Sequence, residues 1–362
     1  MIFDPNHPYN NLPRLPPLQD VETKTVLKLC VTARASLASL KQAGELIPNQ
    51  TMLINAIPLL EAQSSSEIEN IVTTTDKLFQ YAHDDNVADH ATKEALRYRT
   101  AFYDGIQAIK ERPLTANTAL TICQTIKNSQ LGIRTHKGTV LQNSVGKVIY
   151  TPPDDPNAIK ALLTDWENFL HADDDLDPLV KMAIAHYQFE AIHPFFDGNG
   201  RTGRIINILY LIDKGLLDLP ILYLSRYIIQ NKAGYYHGLM GVTADGNWQD
   251  WLVYMLTAIK ETSDWTTKKI LAIKELHQNT ANFIKDNAPK IYSRELVDVI
   301  FEMPYCRINN LVDKGIAKRQ TASTYLAKLC EIGVLNEVQA GKEKLFINPK
   351  LMQLLQSNDN HF

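Results

Sequence analysis

The sequence has little of what marks a secreted, membrane-embedded or strongly charged protein. Its four cysteines (Cys30, Cys123, Cys306, Cys330) lie far apart in 362 residues, with no Cys-x-x-Cys pair. That argues against a disulfide framework or zinc site and for buried thiols in a reducing compartment. There is no run of about 18 apolar residues to span a bilayer. The opening Met-Ile-Phe-Asp-Pro-Asn has no basic segment followed by an apolar core, so no secretory signal is expected and the expected location is cytoplasmic. The net charge of −3 gives no general pull toward nucleic acid or membrane. What is there, 45% hydrophobic and 21% charged residues, is the composition of a globular protein. The length leaves room for two or three domains.

The chemistry is concentrated in twelve residues, His193-Pro-Phe-Phe-Asp-Gly-Asn-Gly-Arg-Thr-Gly-Arg204. His193 is of the type that titrates near neutrality, and Asp197 lies four positions on. Gly198, Gly200 and Gly203 let the backbone turn tightly and approach a ligand. The residues from Arg201 onward read as a helix, and a glycine-rich turn feeding a helix N-terminus is an anion site. Arg201 and Arg204 are three apart, share a helix face, and can grip phosphate oxygens. Asp197 can hold Mg²⁺, which binds through one or two carboxylates plus phosphates. The residues alone therefore point to a nucleotide-phosphate site with a metal and a base, although a glycine-rich turn by itself is usually only a turn.

The stretch resembles the signature of the Fic family, His-Pro-Phe-x-Asp-Gly-Asn-Gly-Arg-x-x-Arg, with every fixed position matched, and the resemblance runs from about residue 60 to about 256. It implies a mainly α fold, a Fic-type helical bundle with a β-hairpin flap, to which the pattern of the C-terminal residues adds a small winged-helix (α+β) domain. The expected divisions are an N-terminal helical region over 1–110 with an inhibitory helix around 61–75, a Fic core over 111–275, and a winged-helix domain over 290–355.

Taken in order, residues 1–20 are proline- and asparagine-rich and suit an extended arm. Helices are expected over 21–43, after Pro48 through Leu60, over 72–111 and over 114–129. Ser64-Ser-Ser-Glu-Ile-Glu-Asn-Ile71, read alone, is a helix start with serine caps. Two β-branched runs around Asn143-Ser-Val-Gly146 read as a hairpin within 133–153. Helices follow over 154–170, 179–192, 225–236 and 248–274. His186 and Glu190, four apart, suit a structural role. Beyond Tyr292, three short helices and two β-like runs spell a winged helix. Residues 293–350 carry nine Lys/Arg against seven acids, a difference of +2, so DNA contact is not favoured over protein docking.

The Fic resemblance also implies an activity, AMP transfer from ATP to Ser, Thr or Tyr hydroxyls of a target protein. It makes ATP the co-substrate and Mg²⁺ (or Mn²⁺) the cofactor, held by Asp197. His193 is the implied general base. The ATP-binding residues implied are Glu69, Lys147, Val148, Ile149, Tyr150, Asp197, Gly198, Asn199, Gly200, Arg201, Thr202, Gly203, Arg204, Tyr235 and Tyr236. Amides of Gly198–Gly200 would form the anion hole, Asn199 would position the α-phosphate, Phe195 would anchor the loop, and Tyr235 and Tyr236 would flank the adenine. Where some relatives place an asparagine seven residues after the pair, this chain has Thr243. Ser65, Glu69 and Asn70 are similar to the inhibitory motif Ser/Thr-x-x-x-Glu-Gly/Asn, in which the glutamate pairs with the second signature arginine, here Arg204, and withholds it from the γ-phosphate. The target would bind along the flap by strand addition. Self-modification and a homodimer are compatible with the sequence. Three alternatives stand: AMP removal or another Fic nucleotide transfer, a nucleotide-sensing winged-helix transcription regulator, and a toxin.

Overall fold

The computed structural model describes residues 3–47, 49–82, 85–143, 145–340 and 343–362. It is mainly helical. In chain order come α1 (Lys24–Glu45), α2 (Thr51–Ile68), α3 (Thr75–Tyr81), α4 (His90–Glu111) and α5 (Ala116–Lys127), then strands β1 (Leu141–Gln142) and β2 (Val148–Tyr150). The helices α6 (Pro156–His171), α7 (Pro178–Ile192), α8 (Asn199–Asp213), α9 (Leu224–Gln230), α10 (Lys232–Asp245) and α11 (Trp248–Asn287) follow. The last module runs α12 (Arg294–Glu302), β3 (Tyr305–Cys306), α13 (Ile308–Asp313), α14 (Arg319–Glu331), β4 (Asn336–Ala340), β5 (Glu343–Ile347) and α15 (Pro349–Gln356).

Helix starts follow local chemistry. Thr23, Thr74, Asp89, Thr115, Asp155, Asp177, Asn247, Ser293 and Asn348 each accept a first-turn N–H with the side chain. Pro156, Pro178 and Pro349 open their helices, where a missing N–H costs nothing. The helix α7 buries every residue except Pro178 and Glu190, so it is surrounded on all sides and forms the axis of the bundle. The helix α8 packs against it after the signature loop, with α2, α4 and α5 around α8, α6 against α7, and α1 along α11.

Several expectations are corrected. Ser64–Glu67 is not a helix start: α2 runs unbroken from Thr51 through Pro58 to Ile68. All three serines are buried, and Ser64 and Ser65 find partners across the bundle, Ser64 with the Tyr223 hydroxyl and Ser65 with Arg204. Those bonds offset the low helix propensity that makes serine look like a cap. The helix ends one turn later, where Asn70 adopts the left-handed conformation (φ 63°) and Ile71 N–H returns to Ser66 O. This termination favours Gly or Asn at that position. The expected helix over 72–111 is two, α3 and α4. The expected helix over 225–236 breaks at Asn231 into α9 and α10. The helix expected to stop at Lys274 continues to Asn287, because no Gly or Pro intervenes before Ala288-Pro289. Pro48, expected to precede α2, and Ser144, expected in the hairpin turn, lie outside the described residues.

The hairpin is shorter than expected, with β1 and β2 antiparallel and Leu141 opposite Tyr150. Asn143 organises the turn: its side-chain oxygen accepts the N–H groups of Val145 (3.1 Å) and Lys147 (3.0 Å). In the C-terminal module an antiparallel sheet of order β3-β5-β4 backs the helices. The strand β3 and helix α15 are additions to the elements legible in the sequence. The module docks through α12 and α15 on α11, and Tyr305 donates to Asp76 in α3 (2.8 Å). Cys30, Cys123 and Cys306 are buried, Cys330 is partly buried, and all four are free thiols. Among the described residues no helix is long and apolar enough to cross a membrane.

Candidate functional site

The signature loop joins the C-terminus of α7 to the N-terminus of α8. His193 ends α7 in the left-handed conformation (φ 50°), which turns the chain sharply out of the helix. Phe195 is buried (1% exposed) and anchors the loop. The Asn199 amide closes the loop on itself, accepting the Phe195 N–H and donating to the Phe195 carbonyl, both at 2.8 Å. Its side chain is thus bonded on both its oxygen and its nitrogen inside the loop, and it is buried (2% exposed). Gly198 caps α8 with φ 89°, a conformation that strains any side chain. The first N–H groups of α8, from Asn199 onward, have no carbonyl one turn ahead within the helix, which makes this end of α8 an anion site.

His193 is held from behind. Arg134, itself buried, donates from Nε to the His193 carbonyl (3.1 Å) and from Nη2 to the Pro153 carbonyl (2.7 Å), and its N–H donates to the Pro194 carbonyl (2.8 Å). Tyr150, at the end of β2, donates to the Ala191 carbonyl (2.7 Å) and so ties the hairpin base to the end of α7. Burial, then the nearby Arg134 charge, pulls the His193 imidazole down to about 4. At neutral pH the ring is uncharged and has a lone pair to accept a proton.

Both signature arginines are buried (1% exposed) and both are ion-paired. The Arg204 Nε donates to Ser65 Oγ (2.8 Å), and Nη2 donates to the Ser65 carbonyl (2.8 Å) and to Glu69 Oε1 (2.9 Å). The last turn of α2 therefore wraps the guanidinium. Lys232 in α10 caps this end of α2 by donating to the Ile68 carbonyl (2.6 Å). Gly200 makes the approach possible, since a β-carbon there would overlap the Glu69 carboxylate and come within 3.0 Å of Arg204 Nη1. Burial opposes the Arg204 charge, but Glu69, together with Tyr235, Tyr98 and Glu190, outweighs it and raises the guanidinium further.

Arg201 Nη1 donates to Glu94 in α4 at 2.6 Å, and its Nη2 lies 3.6 Å from Asp197 Oδ1. Lys127 at the end of α5 bridges Glu94 Oε1 (2.9 Å) and Asp197 Oδ2 (2.6 Å). Burial works against the charge of Glu94, yet the bonds from Arg201 and Lys127 hold its carboxyl below the usual range. Asp197 behaves likewise: burial raises it, but Lys127 lowers it more. Its side chain is 57% exposed, so an ionised carboxylate faces solvent beside the anion site. A single carboxylate of this kind suits a Mg²⁺ ion that brings phosphates as its other ligands. Among the described residues no cluster of three or more ligating side chains exists to hold a metal alone.

The floor of the site is a buried polar layer. His186 Nε2 bonds the Tyr235 hydroxyl (2.8 Å), and burial pulls its imidazole down to about 3. Burial pushes the Glu190 carboxyl up to about 8, and Glu190 Oε1 has no hydrogen-bond partner among the described residues. Gly203 leaves room for this carboxyl, since a β-carbon there would come within 2.7 Å of that oxygen and make it shift. Tyr235 is buried (2% exposed), whereas its neighbour Tyr236 is 39% exposed, so the pair does not present two equivalent faces. Thr243 is occupied with the Tyr187 hydroxyl (2.9 Å). Thr202 is wholly buried. Of the hairpin residues, Lys147 is exposed, Val148 and Ile149 are partly exposed, and Tyr150 is buried.

The structure thus gathers His193, Asp197, the α8 N-terminus, Arg201, Arg204, Ser65 and Glu69 into one site, although Ser65 and Arg204 are 139 positions apart in the chain. Glu94, Lys127 and Arg134 complete it and are not legible in the sequence. Each is an isolated charged residue on an amphipathic or loop segment, with its partner in another element.

The sequence matches three family descriptions in succession: the Fic/DOC family N-terminal region at residues 27–107, the Fic/DOC family itself at 113–211, and the C-terminal domain of protein adenylyltransferase SoFic-like at 276–351. It is 38% identical over 79 residues to a probable protein adenylyltransferase of Aquifex aeolicus, covering 22% of this chain and 24% of that one. It is 28% identical over 123 residues to the protein adenylyltransferase Fic of Drosophila grimshawi, covering 33% of this chain and 24% of that one. The chain thus spans about a quarter of the length of these relatives. Among solved structures, a Fic family protein from Desulfovibrio desulfuricans G20 superposes with a TM-score of 0.58 at 18% identity, covering 92% of this chain and 98% of that one. A Fic domain containing signaling protein from Bacteroides thetaiotaomicron gives 0.52 at 18% identity, over 67% and 97%. The fold is therefore that of Fic proteins, and the chain belongs to the Fic/DOC family, with its Fic domain between the family's N-terminal region and a SoFic-like C-terminal domain.

Proposed function

We propose that the chain transfers AMP from ATP to a Ser, Thr or Tyr hydroxyl of a target protein, and that Glu69 restrains it by occupying Arg204. The observation that carries the reading is the Glu69–Arg204 pair, a carboxylate seated on a buried guanidinium beside a helix N-terminus built for anions. A guanidinium bonds phosphate and carboxylate oxygens in the same way, so the two compete for it.

In the transfer step the hydroxyl oxygen attacks the α-phosphorus, the bond to the bridging oxygen breaks, and pyrophosphate leaves. His193, neutral at pH 7, takes the hydroxyl proton. The N–H groups of the Gly198–Gly200 turn receive the α-phosphate oxygens, where charge builds up. Arg201 and the released Arg204 hold the outer phosphates. Asp197 would hold the Mg²⁺ or Mn²⁺ ion, which supplies charge that offsets the phosphates. Lys147, Val148, Ile149 and Tyr150 line the approach from the hairpin, whose exposed edge offers backbone groups to a target segment. Tyr235 and Tyr236 would stand at the adenine end, Tyr236 by direct contact and Tyr235 from beneath.

We read the C-terminal module as a winged helix that serves protein docking. Three of its lysines are already engaged by acids, Lys314 with Glu302, Lys328 with Glu331 and Lys344 with Glu337. That leaves a weak electrostatic footprint for DNA.

The test is a transfer assay with α-labelled ATP and Mg²⁺ on wild type, Glu69→Gly and His193→Ala, with lysate protein as acceptor. Label with Glu69→Gly, little with wild type and none with a folded His193→Ala is expected. Retained transfer by His193→Ala would sink the assignment. Absence of label throughout, with loss of label from a pre-modified protein, would replace AMP transfer by AMP removal.

A further inference from the structure

Lys127 has no part in the transfer step described above, yet it occupies the position where a cation would meet Asp197. Its Nζ is 2.6 Å from Asp197 Oδ2 and 2.9 Å from Glu94 Oε1. One turn earlier on α5, the Cys123 thiol donates to the Asp197 carbonyl (3.3 Å), and the Lys127 stem lies over Gly198, within 3.6 Å of where a β-carbon would stand. The end of α5 is therefore built against this loop. The two anchors of the ammonium differ. Glu94 is buried (3% exposed) and also bonds Arg201, with the exposed His90 ring 3.7 Å from its other oxygen. Asp197 is open to solvent (57% exposed), with the more distant Arg201 Nη2 3.6 Å from its other oxygen and the Gly198 N–H also acting on its carboxylate.

We propose that Lys127 is a resident cation that competes with the divalent metal for Asp197 and so sets the metal affinity of the site. The inference rests on the reading of Asp197 as the metal-holding carboxylate. When Lys127 gives up Asp197 it keeps Glu94, so no buried charge is stranded by the exchange. Glu94 in turn keeps Arg201 in place whether or not Asp197 is taken. A competitor of this kind makes metal binding weak until phosphates arrive with the ion, which suits a site with one carboxylate.

The experiment is titration of the full chain with Mn²⁺ alone, followed by water-proton relaxation, on wild type, Lys127→Met, Lys127→Arg, Asp197→Asn and the Lys127→Met/Asp197→Asn double variant. Removing one positive charge a few ångströms from a divalent ion, in a half-exposed setting, is expected to tighten Mn²⁺ binding about tenfold in Lys127→Met. Lys127→Arg keeps the charge and is expected to bind as wild type. Asp197→Asn is expected to lose the site, and the double variant to show no gain. Unchanged or weaker binding by Lys127→Met would overturn the proposal, as would a gain that survives in the double variant. Should Lys127→Met fail to fold, Lys127→Gln carries the same expectation. Failure of Lys127→Met with loss in Asp197→Asn refutes only the role of Lys127. Wild-type Mn²⁺ binding by Asp197→Asn refutes the metal reading of Asp197 as well.

Discussion

Replacing Glu69 by alanine tests the restraint quantitatively. Arg204 makes three described bonds to α2, two to Ser65 and one to Glu69, and the substitution removes only the last. The guanidinium therefore stays placed by Ser65 while its Glu69-facing edge opens to an incoming anion. A charge-assisted hydrogen bond contributes about 1.5–3 kcal/mol. The Glu69 side chain is 34% exposed, so solvent screening argues for the lower part of that range, about 1.5–2 kcal/mol. With 1.4 kcal/mol per factor of ten, the productive population rises by about ten- to thirtyfold. The assay is the initial rate of label incorporation from α-labelled ATP at fixed Mg²⁺. Alanine keeps the helix end, which Asn70 and Lys232 cap independently. A faster Glu69→Gly with an unchanged Glu69→Ala would place the effect in a loosened helix and refute the competition of carboxylate and phosphate.

Two further outcomes concern the buried titrating groups. Glu190 keeps its proton in the folded chain to about pH 8, because burial outweighs the pull of Arg204, while the unfolded chain releases it near 4.5. The folded state thus binds more protons between those values, and its stability falls as pH rises across them, by up to about 1.4 kcal/mol per pH unit. Glu190→Gln is expected to flatten the dependence of Tm on pH in this window; an unchanged slope would contradict the assignment. His193, lowered to about 4, is expected to titrate well below an ordinary histidine in an NMR titration of ring protons. A midpoint between 6 and 7 would show a solvated ring and remove the account of its neutral state.

The parts of the fold legible in the sequence are those encoded locally. The signature, its glycines and the following helix are contiguous, and the hydrophobic spacing of α1, α6 and α7 follows one helix face or a buried axis. Ser64 and Ser65 look the same in sequence at a helix start as on a buried helix face, and Tyr223 and Arg204, more than 130 positions away, distinguish the two. Glu94, Lys127 and Arg134 were invisible for the same reason: each acts through a partner that no spacing rule connects to it. The pairing of Glu69 with Arg204 became legible only through the family resemblance, since a glutamate near a helix end has many possible partners. The function of Asn199 illustrates the converse, as a residue in the signature turns out to spend its side chain on the loop itself.

The most direct measurement of the central claim is the ratio of ADP to ATP dissociation constants, by calorimetry, in wild type, Glu69→Ala and Glu69→Ala/Arg204→Met. If Glu69 and the terminal phosphate compete for Arg204, the ratio is near one in wild type, rises about tenfold or more in Glu69→Ala, and returns to near one when Arg204 is also removed. An ATP preference that is the same with and without Glu69 would contradict the claim.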